Sequence, residues 1–157
     1  MWKTDEPAGL LLDEQVCFAL YAASRAVTDV YRPMLARLGL TYPQYLVMLV
    51  LWERDEATVR GIGEALHLDY GTISPLLKRL EKRGMLLRRR GEADERTVTV
   101  ELSPYGRELR ASVAFVPQEV CGAVGMDAAQ RRELIATLRG LTASVQRYNR
   151  AQDPADR

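Results

Sequence analysis

Leu68-Asp69-Tyr70-Gly71-Thr72-Ile73-Ser74-Pro75-Leu76-Leu77-Lys78-Arg79-Leu80-Glu81-Lys82-Arg83-Gly84-Met85-Leu86-Leu87-Arg88-Arg89-Arg90 is the stretch on which the fold turns. It opens with a turn ending in helix-capping chemistry. With Thr72 as the expected N-cap, Pro75 falls in the first helical turn, where a missing N–H costs nothing. Ile73, Leu76, Leu77 and Leu80 recur at helical spacing as a buried side. Lys78, Arg79, Lys82 and Arg83 form the solvent side, and Gly84 stops the helix. At Met85 the period changes. Residues 85–90 and 97–102 read as two short strands, the second in clean alternation, with Gly91-Glu92-Ala93-Asp94 as a hairpin tip.

Working outward, residues 58–67 predict a brief helix capped by Thr58, weakened by Gly61 and Gly63, for which close helix packing is the expected reason. Residues 55–57 read as a polar gap. Thr41-Tyr42-Pro43 starts a helix to about Arg54, apolar nearly all round from Leu46 to Trp52 and therefore the central core element. The strongest helical signal spans residues 12–38, where Leu12, Val16, Leu20, Ala23, Val27, Val30, Met34 and Leu38 form one stripe. Pro33 is expected to kink or interrupt it, and Gly39 to cap it. Downstream, Ser103-Pro104 opens a helix to about Cys121 with a kink at Pro117. Gly122 and Gly125 mark a break, and Asp127 caps a last helix to about Tyr148.

The 157 residues carry 22 Lys+Arg against 21 Asp+Glu, for a net charge of +1. That near-neutrality is an average. Lys78, Arg79, Lys82, Arg83, Arg88, Arg89, Arg90 and Arg96 face only Glu81, Glu92, Asp94 and Glu95 between residues 78 and 96, so the positive charge is local. A nucleic-acid footprint is likewise a local property. At 47% apolar and 27% charged residues the chain is globular. Two cysteines are too few for a disulfide scaffold, which implies a reducing compartment. No cationic leader precedes an apolar core, and no apolar run approaches the ~20 residues that span a bilayer. The expectation is a soluble cytoplasmic protein without a membrane partner. One His and two distant cysteines build no metal site, and no cofactor is expected.

These elements predict a mainly α chain with a small β-hairpin wing, an α+β winged helix-turn-helix. The DNA-binding lobe would span about 43–102, flanked by dimerisation helices at about 10–38 and 103–149. The second helix of such a pair enters the major groove by its N-terminal end. Tyr70, Thr72 and Ser74 are thus placed to contact base edges, and Lys78, Arg79 and Lys82 to hold phosphates. Arg88, Arg89 and Arg90 extend the basic face along the hairpin, and Arg96 beside Asp94 is placed to enter a minor groove. Two amphipathic stripes remain, Leu109, Val113, Val116 and Val120, then Leu134, Leu138, Leu141 and Val145. A homodimer interface is the simplest use for them, and would set two recognition helices ~34 Å apart on an inverted-repeat operator in double-stranded DNA.

Three segments resemble the MarR family of winged-helix regulators, and within it the organic hydroperoxide resistance regulators. They are Cys17-Phe18-Ala19-Leu20-Tyr21-Ala22-Ala23-Ser24-Arg25, the run Leu40 to Glu53, and Pro75-Leu76-Leu77-Lys78-Arg79-Leu80-Glu81. Asp94-Glu95-Arg96 agrees with the wider family. The resemblance covers about residues 10–148. It implies a repressor that binds its operator as a reduced dimer and is released by organic hydroperoxides. It further implies that Cys17 is the peroxidatic thiol, with Tyr31 and Tyr42 hydrogen-bonding to its sulfur across the dimer and Tyr21 as a third contributor. Phenol donors favour the thiolate, the form that attacks a peroxide. Phe18 and Met48 would wall an apolar pocket. Cys121 would be the resolving thiol of the other subunit.

Other readings of the same residues stay open. A lone helical Cys is ordinarily a small buried hydrophobe, and the tyrosines would serve equally as interface aromatics. His67 reads as structural. Tyr70 stands where related sequences carry a small residue. A regulator responding to a small aromatic or phenolic ligand is one alternative. A thiol peroxidase is another, although no paired-cysteine motif supports an enzyme.

Overall fold

A computed structural model describes residues 10–90 and 97–152. The described chain forms two compact units that part between Val120 and Cys121. The core of the first unit is built around α2 (Tyr42–Arg54), as the all-round apolar run predicts. Tyr45, Val47, Met48, Val50, Leu51 and Trp52 are buried, Leu46 is half-buried, and Leu49 is exposed. Thr41 and Gln44 form a capping box, in which the Thr41 hydroxyl accepts from the Gln44 N–H and the Gln44 side-chain oxygen accepts from the Thr41 N–H.

The first helix is shorter than the stripe suggested. A 3₁₀ turn at Leu12–Glu14 precedes α1 (Val16–Ala36), which runs past Pro33 rather than ending there. Gly39, at φ +63°, turns the chain into α2, and a Cβ there would lie 2.2 Å from the Arg83 guanidinium. That guanidinium donates to the Leu38 carbonyl at 3.2 Å. The supposed gap after α2 contains a third strand, β1 (Glu56–Thr58), which pairs antiparallel with a later one. Three residues of mixed polarity carry no strand signal by themselves; the pairing partner makes the strand.

Thr58 caps α3 (Val59–Leu66) as expected, accepting from the Gly61 N–H. Gly63 packs closely, since a Cβ there would meet the Leu68 carbonyl at 2.8 Å. The next helix starts earlier than the sequence suggested. Asp69, not Thr72, is the N-cap of α4 (Tyr70–Lys82), and Thr72 is its third residue. Pro75 therefore lies beyond the first turn, and the Gly71 carbonyl has no helical N–H to accept from. Gly84, at φ +71°, ends the helix.

β2 (Leu86–Arg90) and β3 (Val98–Leu102) form the hairpin, in a three-stranded antiparallel sheet of order β1-β3-β2. Leu86 stands opposite Leu102 and Arg88 opposite Val100. Ser103 caps α5 (Pro104–Ser112) through the Gly106 N–H, and its own hydroxyl donates to the Gly84 carbonyl. Trp52 Nε1 donates to the Gly106 carbonyl at 2.8 Å, which fixes α5 on the core helix.

The helix expected to kink at Pro117 is in fact two. α5 stops at Ser112, and α6 (Val116–Val124) begins anew with Pro117 in its first turn, where proline fits. Gly125, at φ +67°, makes the break; Gly122 lies inside α6. The stripe Leu109, Val113, Val116 and Val120 is already buried within its own chain, and so is not spare surface for a second copy. In the second unit, Asp127 accepts from the Ala129 and Gln130 N–H groups and caps α7 (Ala128–Gln152). No described residue of α7 is buried.

Candidate functional site

α4 presents one face to solvent, made of Gly71, Thr72, Pro75, Lys78, Arg79 and Lys82, while Ile73, Leu77 and Leu80 anchor the opposite side. Its start is held by Asp69, which accepts from the Thr72 N–H at 2.8 Å and the Thr72 hydroxyl at 3.1 Å. Those bonds, the backbone one first, hold the Asp69 carboxyl below its ordinary range. The Thr72 hydroxyl, expected to meet a base edge, thus has its proton directed to Asp69 and its lone pairs left as acceptors. Ser74 is half-buried, to the side of the exposed face. Tyr70 is 68% exposed. It stands on the rim of a cavity of about 580 Å³ with Arg60, Glu64 and His67, floored by Val59 and Ile73. His67 ends α3 in a left-handed conformation, φ +54°.

The basic residues divide into two sets. Lys78, Arg79, Lys82 and Arg90 are exposed and pair with no acid among the described residues. Arg88 and Arg89, expected as DNA contacts, both pair with acids of their own chain, Arg88 half-buried and Arg89 still 71% exposed. Arg88 is bound to Glu81 of α4 at 2.5 and 2.8 Å, and Arg89 to Glu101 of β3 at 2.6 Å. Arg89 also relieves a like-charge pair, since Glu56 stands directly opposite Glu101 across β1 and β3. Asp94 and Arg96 lie outside the described residues.

Cys17 is an exposed free thiol at the second residue of α1. Phe18, Leu20 and Tyr21 around it are 39%, 37% and 56% exposed, an apolar surface that the described residues cover only in part. Tyr21, one turn on, accepts from Arg25 at 3.0 Å and carries that guanidinium over its ring. Tyr31 and Tyr42 are brought together, with ring centroids 4.8 Å apart, and Tyr45 and Trp52 continue the aromatic row. Burial raises the Tyr42 phenol above its ordinary 10.0, so it stays protonated and remains a donor. Fourteen positions of regular helix separate Cys17 from Tyr31, ~20 Å along the axis, so the two cannot meet within one chain. Met48, expected beside Phe18 as a pocket wall, is wholly buried in the core.

Cys121 is a half-buried free thiol in α6. In the same unit Arg131 of α7 donates to its sulfur at 2.7 Å. No cluster of potential metal ligands occurs among the described residues. None of their helices is long and apolar enough to cross a membrane.

The family model for transcriptional regulators of the SarA/Rot type matches residues 29–113. The chain is 40% identical over 138 residues to the organic hydroperoxide resistance transcriptional regulator of Bacillus subtilis, covering 88% of this chain and 94% of that one. The chain belongs to the MarR/SarA family of winged-helix transcriptional regulators. It is also 48% identical over 134 residues to the regulator TtmR of Methylorubrum extorquens, covering 85% of this chain and 68% of that one. Among solved structures, reduced AbfR bound to DNA is 31% identical, with a TM-score of 0.76 over 87% of this chain and 94% of that one. AbfR, from Staphylococcus epidermidis, has also been solved with its disulfide formed. That form is 31% identical and superimposes at TM-score 0.59 over 88% of this chain and 92% of that one.

For a MarR/SarA regulator, the residues whose part reading the sequence missed are Asp69 and Glu81. Asp69 was overlooked because Thr72 is an equally good cap by type, and only the helix start decides between them. Glu81 did carry a signal, as the one acid on a helix whose other charges are basic, seven residues before Arg88.

Proposed function

We propose that this regulator is a repressor that holds an inverted-repeat operator as a reduced homodimer and lets go when an organic hydroperoxide oxidises Cys17. The observation that carries the reading is Cys17 itself, an exposed thiol on a part-exposed apolar surface, in a segment whose residues resemble the organic hydroperoxide regulators. The dimer would use residues 10–38 and part of 103–149, with the lobe at 43–102 on DNA. Each Cys17 would then meet Tyr31 and Tyr42 of the other subunit, which the helix length forbids within one chain.

The Cys17 thiolate attacks the distal peroxide oxygen, the O–O bond breaks, and the alkoxide leaves as an alcohol after taking a proton. The resulting sulfenic acid is attacked by Cys121 of the other subunit, forming the disulfide and expelling hydroxide, which is protonated to water. The peroxide is reduced and the two thiols are oxidised. A bridge requires Cα atoms within ~7 Å, so its formation constrains the dimer and can reorient the DNA-binding lobes. AbfR in its reduced, DNA-bound form and in its disulfide form supports such a cycle by analogy.

A fluorescent duplex from upstream of the protein's own gene tests this. Cys17→Ser should bind it as wild type does and stay bound when cumene hydroperoxide is added; release from the variant would overturn the redox reading. Oxidised wild type should run as a cross-linked dimer on a non-reducing gel, and Cys121→Ser should not.

A cavity of about 380 Å³ lined by Thr28, Arg32, Leu35, Leu40 and Tyr42 favours one second reading. Its apolar walls suit a small aromatic acid as effector, whose carboxylate would displace Asp29 from the Arg32 guanidinium. Release of Cys17→Ser by such an acid, without peroxide, would support it.

A further inference from the structure

Arg88 sits on β2 with its side chain on the same face as Leu86, which is completely buried, because alternate strand residues share a face. It therefore points toward α4, which packs on β2. Both Nε and Nη2 donate to one Glu81 oxygen, at 2.8 and 2.5 Å. The two side chains are only 28% and 34% exposed. By contrast, Arg32–Asp29 and Arg60–Glu64 lie within single helices with exposures of 54–88%. Surface pairs of that kind contribute little and are screened by salt. Glu81–Arg88 is shielded and joins two different elements.

We propose that Glu81 and Arg88 are a positioning pair that locks the β2–β3 hairpin to α4, so that helix and wing grip a duplex as one rigid piece. The proposal rests on the DNA-binding reading above and removes Arg88 from the phosphate contacts. Its chemistry explains why an acid is tolerated on α4. A bare Glu81 carboxylate near a duplex would repel phosphates, whereas the paired one is neutralised and turned toward the wing. The lock also lowers the ordering cost on binding, because the hairpin is already held where it must act.

The two roles predict opposite signs for one substitution. If Arg88 held a phosphate, Glu81→Gln would free it and remove a repulsion, and binding would tighten. A positioning pair predicts that Glu81→Gln and Arg88→Gln both weaken binding, by roughly tenfold. Salt dependence gives a second, independent readout. Each phosphate contact contributes ~0.9 to the slope of log affinity against log salt. Arg88→Gln should leave that slope unchanged, while Arg90→Gln should reduce it by about 2 for a dimer. The charge-swapped protein Glu81→Arg with Arg88→Glu should recover most of the lost affinity.

The measurement is fluorescence anisotropy on the upstream duplex and on a random duplex of equal length, from low to moderate salt. Hydrogen exchange of the β2 and β3 amides without DNA should speed up in both single variants. Tighter binding by Glu81→Gln, or a lower slope for Arg88→Gln, would overturn the proposal, and so would unchanged amide exchange. A wild-type protein that ignores both duplexes would instead refute the DNA-binding reading, leaving amide exchange to decide the pair.

Discussion

At the scale of single residues, Gly106 carries the tightest constraint in the first unit. A Cβ there would lie 1.9 Å from the Met85 carbonyl oxygen, and backbone cannot move aside as a flexible side chain can. The same residue accepts from Trp52, and its N–H is capped by Ser103. Gly106→Ala should therefore cost ~3 kcal/mol, read as a lower urea midpoint at unchanged slope. A loss below about 0.5 kcal/mol would mean that the close approach relaxes freely. Asp69 makes a prediction in pH. Its carboxyl is held below the ordinary 3.8 by the Thr72 N–H and hydroxyl, so folding favours the charged form. The stabilisation is present in full above the ordinary value and is lost as pH falls through the folded one. Asp69→Asn keeps a capping oxygen but no charge. Comparing urea midpoints from pH 6 down to pH 2 should show wild type losing its advantage over the variant below about pH 4. A constant difference would refute the assigned cause.

At the scale of elements, what the sequence made legible followed length and periodicity. α2 was evident because Leu46 to Trp52 leaves it no polar side, and α4 because its apolar and basic residues segregate at helical spacing. β1 was hidden, since Glu56-Ala57-Thr58 becomes a strand only through β3, and no local pattern encodes a partner as far along the chain as Glu101 is from Glu56. The break at residues 113–115 was missed for a related reason, because Leu109, Val113, Val116 and Val120 keep a helical period across a gap that the backbone does not. The site was legible in type and less so in use. Lys78, Arg79 and Lys82 lie exposed as expected, while Arg88 and Arg89 pair with Glu81 and Glu101, a fact of tertiary placement. Tyr31 and Tyr42 come together because the Gly39 turn folds α2 back on the end of α1. Tyr42→Phe keeps the ring packing and removes the donor. If that phenol serves Cys17 of a second copy, oxidation by cumene hydroperoxide should slow by ten- to a hundredfold, the worth of a hydrogen bond to a charged group. Stopped-flow loss of thiol measures it, and an unchanged rate would remove Tyr42 from the thiol centre.

At the scale of the whole molecule, the proposed homodimer would cover apolar surface that the described residues leave exposed. α7 is a 25-residue helix without one buried residue, yet Leu134, Ile135, Leu141 and Val145 are 37–49% exposed. Helices of this kind owe their stability to packing of an apolar face, which α7 does not obtain from its own chain's described residues. At the other end, Leu10, Leu12, Val16 and Tyr21 are 56–70% exposed around Cys17. Burying such surfaces against a second copy removes them from water at ~25 cal/mol per Å², and the apolar stripe of α5 and α6 cannot substitute because it is already used. In that reading dimerisation and DNA binding would be coupled in a measurable way. With Lys78, Arg79, Lys82 and Arg90 each holding one phosphate, a dimer neutralises about eight, for a log–log salt slope near −7, and a single chain about half that. Leu141→Asp with Val145→Asp places two charges in the α7 stripe. It should convert a sedimenting dimer of the 157-residue chain to monomer. The slope on the upstream duplex should be roughly halved in the same protein. If the substituted protein still sediments as a dimer, α7 is not the interface; if it becomes monomeric with the full slope, the cations that grip DNA are not those of α4 and the hairpin.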